Sequence, residues 1–229
     1  DSEALLRRVL ELAPDFGAAR ANLATILYKQ NRFPEALEQL DAVLAEEGDN
    51  PAQQNLKAAT LGRIGGYDEA IALYKELTAR FPDHAKLWMS YGHMLKTVGD
   101  QEGSIAAYRR ALEAEPTLGE VYWSLANLKT FRFSDGDIAA MEAALATARL
   151  GLEDKFHLHF ALGKASEERS EHEAAFGHYA KGNALRSKQL EYDPDIITAQ
   201  VNRVIDCFTP EFVAARAGQG HAAPDPIFI

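Results

Sequence analysis

LWMSYGHMLKTVGDQEGSIAAYRRALEAEP, residues 87–116, holds two helical faces separated by a break. Trp88, Tyr91, Gly92 and Leu95 recur at three- and four-residue spacing, the signature of one face of a helix. Gly99 and Asp100 interrupt that face. Ser104, Ile105, Tyr108 and Ala111 then build a matching face on a second helix, which Pro116 ends. Small residues at Gly92 and Ser104 allow the two helices to approach closely, and the large ones fill the space around that contact. The stretch predicts a packed helix pair.

The same phase recurs every 34 residues. Pro14, Gly48, Pro82 and Pro116 lie on one grid; Ala24, Ala58, Gly92 and Ala126 lie on a second, and Ala36, Ala70, Ser104 and Ile138 on a third. A helix pair of this size cannot bury its apolar face alone, so repeated pairs stack. The spacing resembles the tetratricopeptide repeat. Its copies are graded: Lys57 intrudes on the second, and Lys129 and Glu142 occupy core positions of the fourth. A three-residue slip near 147–153 precedes Leu162, Gly163, Ala175 and Tyr179, which restore the phase. The sequence therefore predicts an all-α chain, a right-handed α-solenoid. An opening half-repeat helix is expected at 1–16 and five helix pairs at 17–190, the fourth (119–150) degenerate. A helical linker is expected at 191–222, then an extended stub at 223–229.

Composition narrows the function. A net charge of −10 argues against broad binding to nucleic acid or to an anionic membrane surface. A single cysteine, Cys207, forms no internal disulfide and suits a reducing, cytoplasmic setting. His157 and His159 are two apart, and His172 and His178 six apart, so neither pair shares a helical face suited to a metal. The glycines of LGRIGG, 61–66, fall at a turn between helices rather than after a strand, which favours a helix stop over a phosphate cradle. No catalytic, cofactor-binding or metal-ligating residue is predicted.

The first helices of successive pairs are expected to line a concave groove. By repeat phase it presents Tyr28, Lys29, Asn55, Arg63, Lys86, Met89, His93, Lys96, Trp123, Asn127, Phe160 and Lys164, with Glu120 and Glu167 as acidic exceptions. Lysine, arginine and asparagine there suit an extended, acidic protein segment or peptide, held by charge-assisted hydrogen bonds. Met89, Trp123 and Phe160 would supply apolar anchors.

Several strings outside the repeat consensus carry a narrower likeness. NLKTFRF at 127–133, FHLHFALGKA at 156–165, HYAKGN at 178–183, FTPEF at 208–212 and PDPIFI at 224–229 resemble the bacterial TPR-sulfotransferase family. The resemblance implies a PAPS-dependent sulfotransferase domain beyond this chain, with Pro226–Ile229 as its first strand. It also implies that the loop holding PAPS follows Ile229, so no cofactor is expected on this chain. The repeats would recruit or present an acceptor. The alternatives are that they complete the acceptor site and act in turnover, or that they serve self-association.

Overall fold

A computed structural model describes residues 2–48, 50–190 and 192–219. Among them are thirteen helices and no strand. In chain order these are α1 (Ser2–Leu12), α2 (Gly17–Lys29), α3 (Phe33–Glu47), α4 (Pro51–Arg63), α5 (Tyr67–Arg80), α6 (Ala85–Thr97) and α7 (Gln101–Ala114). Then follow α8 (Gly119–Ala126), α9 (Asp135–Leu145), α10 (Leu152–Glu168), α11 (His172–Ser187), α12 (Pro194–Cys207) and α13 (Pro210–Ala214). The chain divides into two compact units, 1–185 and 186–229.

The first unit is an α-solenoid. From α1 to α8 each helix packs against the next, while α2 packs on α4, α4 on α6, and α8 on α10. The helices that open each pair thus line up as α2–α4–α6 and α8–α10. The 34-residue period reappears in the hydrogen bonds that close three of the four corners. Arg20 Nη2 donates to the Pro14 carbonyl (2.6 Å), Trp88 Nε1 to that of Pro82 (2.8 Å) and Tyr122 Oη to that of Pro116 (3.2 Å). Three different side chains make one bond because the backbone beneath them repeats.

Gly92 shows why a small residue is needed between paired helices. A Cβ at Gly92 would lie 2.6 Å from Tyr108 Cε1, and one at Gly163 would lie 2.7 Å from Tyr179 Cε1, the same sixteen residues on. Tyr74 and Tyr108 are fully buried by this arrangement, with Leu27, Leu77, Val121, Leu125, Met141 and Leu158 extending the core along the stack.

The fourth copy departs from the others for a backbone reason. Asn31, Gly65 and Gly99, spaced by 34, adopt φ of 61°, 87° and 85°, and Ser170 takes 62° at the corresponding turn after the slip. This left-handed residue reverses the chain between the helices of a pair. The grid places Phe133 at that point in the fourth copy, and a bulky side chain disfavours φ > 0. Phe133 is instead buried in the core with normal φ. Accordingly α8 stops after eight residues. The chain runs irregularly through 127–134 until Ser134 and Asp137 form a capping box that starts α9.

In the second unit, Asp193 caps α12 by accepting the Asp195 N–H at 2.9 Å, and Thr209 Oγ1 caps α13 by accepting the Phe212 N–H at 3.2 Å. Ile196, Ile197, Val201, Val204 and Ile205 give α12 an exposed apolar face, which Phe208 extends at its C-terminal cap. The extended stub expected at 223–229 lies outside the described residues. Among the described residues no helix is long and apolar enough to cross a membrane.

Candidate peptide-binding face

Three of the residues expected in the groove meet in one place. Tyr28 from α2, Arg63 from α4 and His93 from α6 line an open concavity of about 610 Å³, together with Phe33, Tyr67 and Met94. The packing of first helices explains this: α2 packs on α4 and α4 on α6, so residues on the same side of each can meet although Tyr28, Arg63 and His93 are not in equal phase. The Arg63 guanidinium stands over the Phe33 ring, 5.3 Å from its centroid, and Tyr28 meets the same ring edge-on at 5.6 Å. This stack restrains the arginine side chain before any partner arrives, so less freedom is lost on binding. Arg63 is exposed, as are Lys29 in the last turn of α2 and Lys96 in the last turn of α6.

His93 is half-buried. Its Nε2 lies 3.0 Å from Ser124 Oγ, which ties α6 to α8, and its ring meets Tyr108 edge-on at 5.5 Å. Burial, and then the Lys96 charge, push its pKa below the usual histidine value. The ring is therefore neutral at pH 7 and offers a hydrogen-bond partner, not a charge. Asn55 is half-buried on α4, and its Oδ1 is buried with no hydrogen-bond partner among the described residues.

The other expected residues lie elsewhere along the stack. Lys86 is exposed in the first turn of α6 and lines a separate corner concavity with Arg80 and His84. Met89 is half-buried and packs against the core. Trp123 and Phe160 pack on each other with centroids 5.5 Å apart, and the Phe160 ring also fills the space over Gly182. Asn127 is exposed and donates from Nδ2 to the Trp123 carbonyl at 2.9 Å. Lys164 pairs with Glu167 (3.3 Å) and Glu168 (3.7 Å) on its own helix.

The charge on the wall is consequently uneven. Beside α8, burial raises the Glu120 pKa first, then the Glu153 and Asp154 charges raise it further, with Lys86 opposing. Carboxylates therefore crowd the α8–α10 end, while Lys29, Arg63 and Lys96 mark the α2–α6 end as cationic. Phe33 and Tyr67 were not expected in the groove. They open second helices, but they too are 34 apart, and that spacing was the signal.

Residues 1–60 and residues 56–118 each match a family profile described as tetratricopeptide repeat. Among curated proteins, an uncharacterised protein of Aquifex aeolicus is 26% identical over 181 residues, covering 79% of this chain and 23% of the relative. The FlbA protein of Caulobacter vibrioides is 29% identical over 182 residues, covering 73% of this chain and 29% of FlbA. The chain thus spans less than a third of either relative. Among solved structures, human IFIT1, a dimer with PPP-AAAA, superposes with a TM-score of 0.60 at 22% identity, over 79% of this chain and 44% of IFIT1. MamA from Desulfovibrio magneticus gives 0.51 at 18% identity, over 82% and 97%. Likeness at these identities concerns the fold alone.

Proposed function

The chain carries tetratricopeptide repeats across residues 1–118, and from that premise we propose that it is a protein-interaction scaffold whose α2–α6 wall holds an extended acidic segment of a partner. The concavity framed by Tyr28, Arg63 and His93 is the observation that supports this most directly. An apolar side chain of the partner fits among Phe33, Tyr67 and Met94, and a carboxylate two residues along pairs with Arg63. Lys29 and Lys96 supply further cationic contact at the rim. On a chain of net charge −10 the average field repels an acidic partner. Recognition then depends on these few cations.

Arg63→Glu combined with Lys96→Glu is expected to weaken binding of extended Glu/Asp-Leu peptides by about tenfold or more, about 1.4 kcal/mol. Wild-type affinity should fall as salt rises, because these contacts are exposed and screened. Fluorescence polarisation with matched acidic and basic peptides reads both. Equal affinity of the double variant for the acidic peptides sinks the reading.

The finer reading follows the strings at 127–133, 156–165, 178–183 and 208–212. On that reading the scaffold presents an acceptor to a PAPS-dependent sulfotransferase domain of the same protein. The test is sulfate transfer from PAPS by the full-length protein. Groove variants should raise the acceptor KM and leave kcat and PAPS affinity unchanged, whereas a fall in kcat on every acceptor favours direct participation in turnover. Absence of transfer from PAPS rejects the finer reading and leaves the scaffold intact.

A further inference from the structure

Nineteen residues apart in sequence, His159 on α10 and His178 on α11 face each other across the helix pair. Their Nδ1 atoms are 3.1 Å apart, their ring centroids 5.3 Å apart, and their planes inclined by 45°. We infer that these two histidines form a site for one divalent transition-metal ion, of the class that favours imidazole, which clips α10 to α11 through both Nδ1 atoms.

Imidazole nitrogens sit about 2.0–2.1 Å from zinc, so two of them on one tetrahedral ion are separated by roughly 3.3 Å. The pair already stands close to that spacing. Without metal, one ring donates its Nδ1–H and the other accepts. Metal binding replaces that single shared proton, and the donor ring keeps its proton on Nε2 instead. Ligation requires both rings in the neutral form. For His159 burial comes first in lowering the pKa, followed by His178 and Lys181. For His178 burial again comes first, then Lys181, while Glu142 acts in the opposite sense.

Glu142 gives a second line of support. It lies 34 residues after Tyr108 and 68 after Tyr74, where those copies bury a tyrosine, yet Glu142 is exposed on α9. The fourth copy thus gives up a core aromatic and carries a carboxylate whose charge reaches His178. Among the described residues no three histidines, cysteines or carboxylates stand together as a ligand set. The ion therefore keeps water in its remaining positions, with Glu142 as an outer carboxylate and Lys181 opposing. Moderate affinity follows, in the order copper above nickel above cobalt.

The experiment is calorimetric titration of the intact chain with Ni²⁺ and Zn²⁺ at pH 7.5, alongside thermal melts. One ion per chain and a saturable rise in Tm are expected. His159→Gln and His178→Gln should each weaken binding by about tenfold or more, equivalent to about 1.4 kcal/mol. His172→Gln should bind as wild type, since His172 is exposed at the start of α11. Binding should also weaken as pH falls and the imidazoles take up protons. Circular dichroism establishes which variants fold, and for a variant that does not, ¹⁵N imidazole shifts of the wild-type chain with Zn²⁺ identify the ligating nitrogens. Absence of saturable binding, unaltered binding to folded His178→Gln, or unmoved Nδ1 shifts overturns the inference.

Discussion

Gly119→Val is expected to lower the melting temperature of the solenoid by roughly 5–10 °C, at about 2–4 °C per kcal/mol for a unit of this size. Gly119 opens α8, and a Cβ there would collide with the backbone of Asp154 on α10: with its carbonyl oxygen, with Cα at 2.8 Å and with the carbonyl carbon at 2.9 Å. Backbone atoms inside a helix have no rotamer to escape into, so α8 and α10 must separate. The Gly119 N–H also donates to Asp154 Oδ1 at 2.9 Å, satisfying one of the free donors at the start of α8. Overpacking with loss of that bond costs about 2–3 kcal/mol. Two controls isolate the cause. A Cβ on Gly177 in α11 meets nothing within 4 Å, so Gly177→Ala should stabilise by about 0.5–1 kcal/mol through helix propensity alone. At Gly62 the obstruction is the flexible end of Met94, so Gly62→Ala should cost little. Stacked repeats can unfold in parts, so hydrogen exchange in α8 and α10 should accompany the melts. An unchanged Tm and unchanged exchange for Gly119→Val would show that the two helices do not approach as described.

The repeat was legible because its physics is local. Asn31, Gly65 and Gly99 turn the chain at equal intervals, and Gly92 and Ala58 sit where paired helices touch, so one period encodes both turn and contact. The irregular segment at 127–134 was harder to foresee. Loss of phase was visible at Lys129 and Glu142, but its cause, Phe133 at a position needing left-handed backbone, emerges only once the φ angles of the other turns are compared. For the groove, the repeat brought Tyr28, Arg63 and His93 together, since it fixes which side of a first helix faces inward. The groove reading was confined to first helices, so Phe33 and Tyr67, which open second helices, escaped it although they too are 34 apart. Nor did it show that Lys164 is engaged by Glu167 and Glu168. His159 and His178 were invisible for a related reason. Spacing within one helix rules on ligands of that helix, whereas this pair depends on the register between two.

Asp137→Ala should destabilise the solenoid by about 2–3 kcal/mol at pH 7, and the deficit should shrink as pH falls below 4. Asp137 is only 7% exposed. Its carboxylate accepts from both terminal nitrogens of Arg109 on α7, from the Ser134 N–H (2.9 Å) and from the Ser134 hydroxyl (2.8 Å). One side chain thus starts α9 after the irregular segment and ties it to α7. Breaking a buried ion pair costs about 3–5 kcal/mol where the orphaned partner stays buried. Arg109 is partly exposed and can rehydrate, which reduces that term, while loss of the cap adds about 0.5–2 kcal/mol. Burial is the largest influence on the Asp137 pKa and acts to raise it, but Arg109 and Ser134 together outweigh it and hold the carboxyl below the ordinary aspartate value. The unfolded chain therefore binds this proton more readily than the native one. The stabilisation is complete above the unfolded value near 4 and is lost as pH falls through the native value. Urea midpoints for wild type and Asp137→Ala at pH 7 and at pH 3 measure both parts. Asp137→Asn, similar in shape but turning an amide towards the Arg109 donors, should lose most of the same energy. A wild-type advantage of equal size at both pH values would show that the contribution is packing, not charge, and that the α7–α9 tie does not depend on the ionised carboxylate.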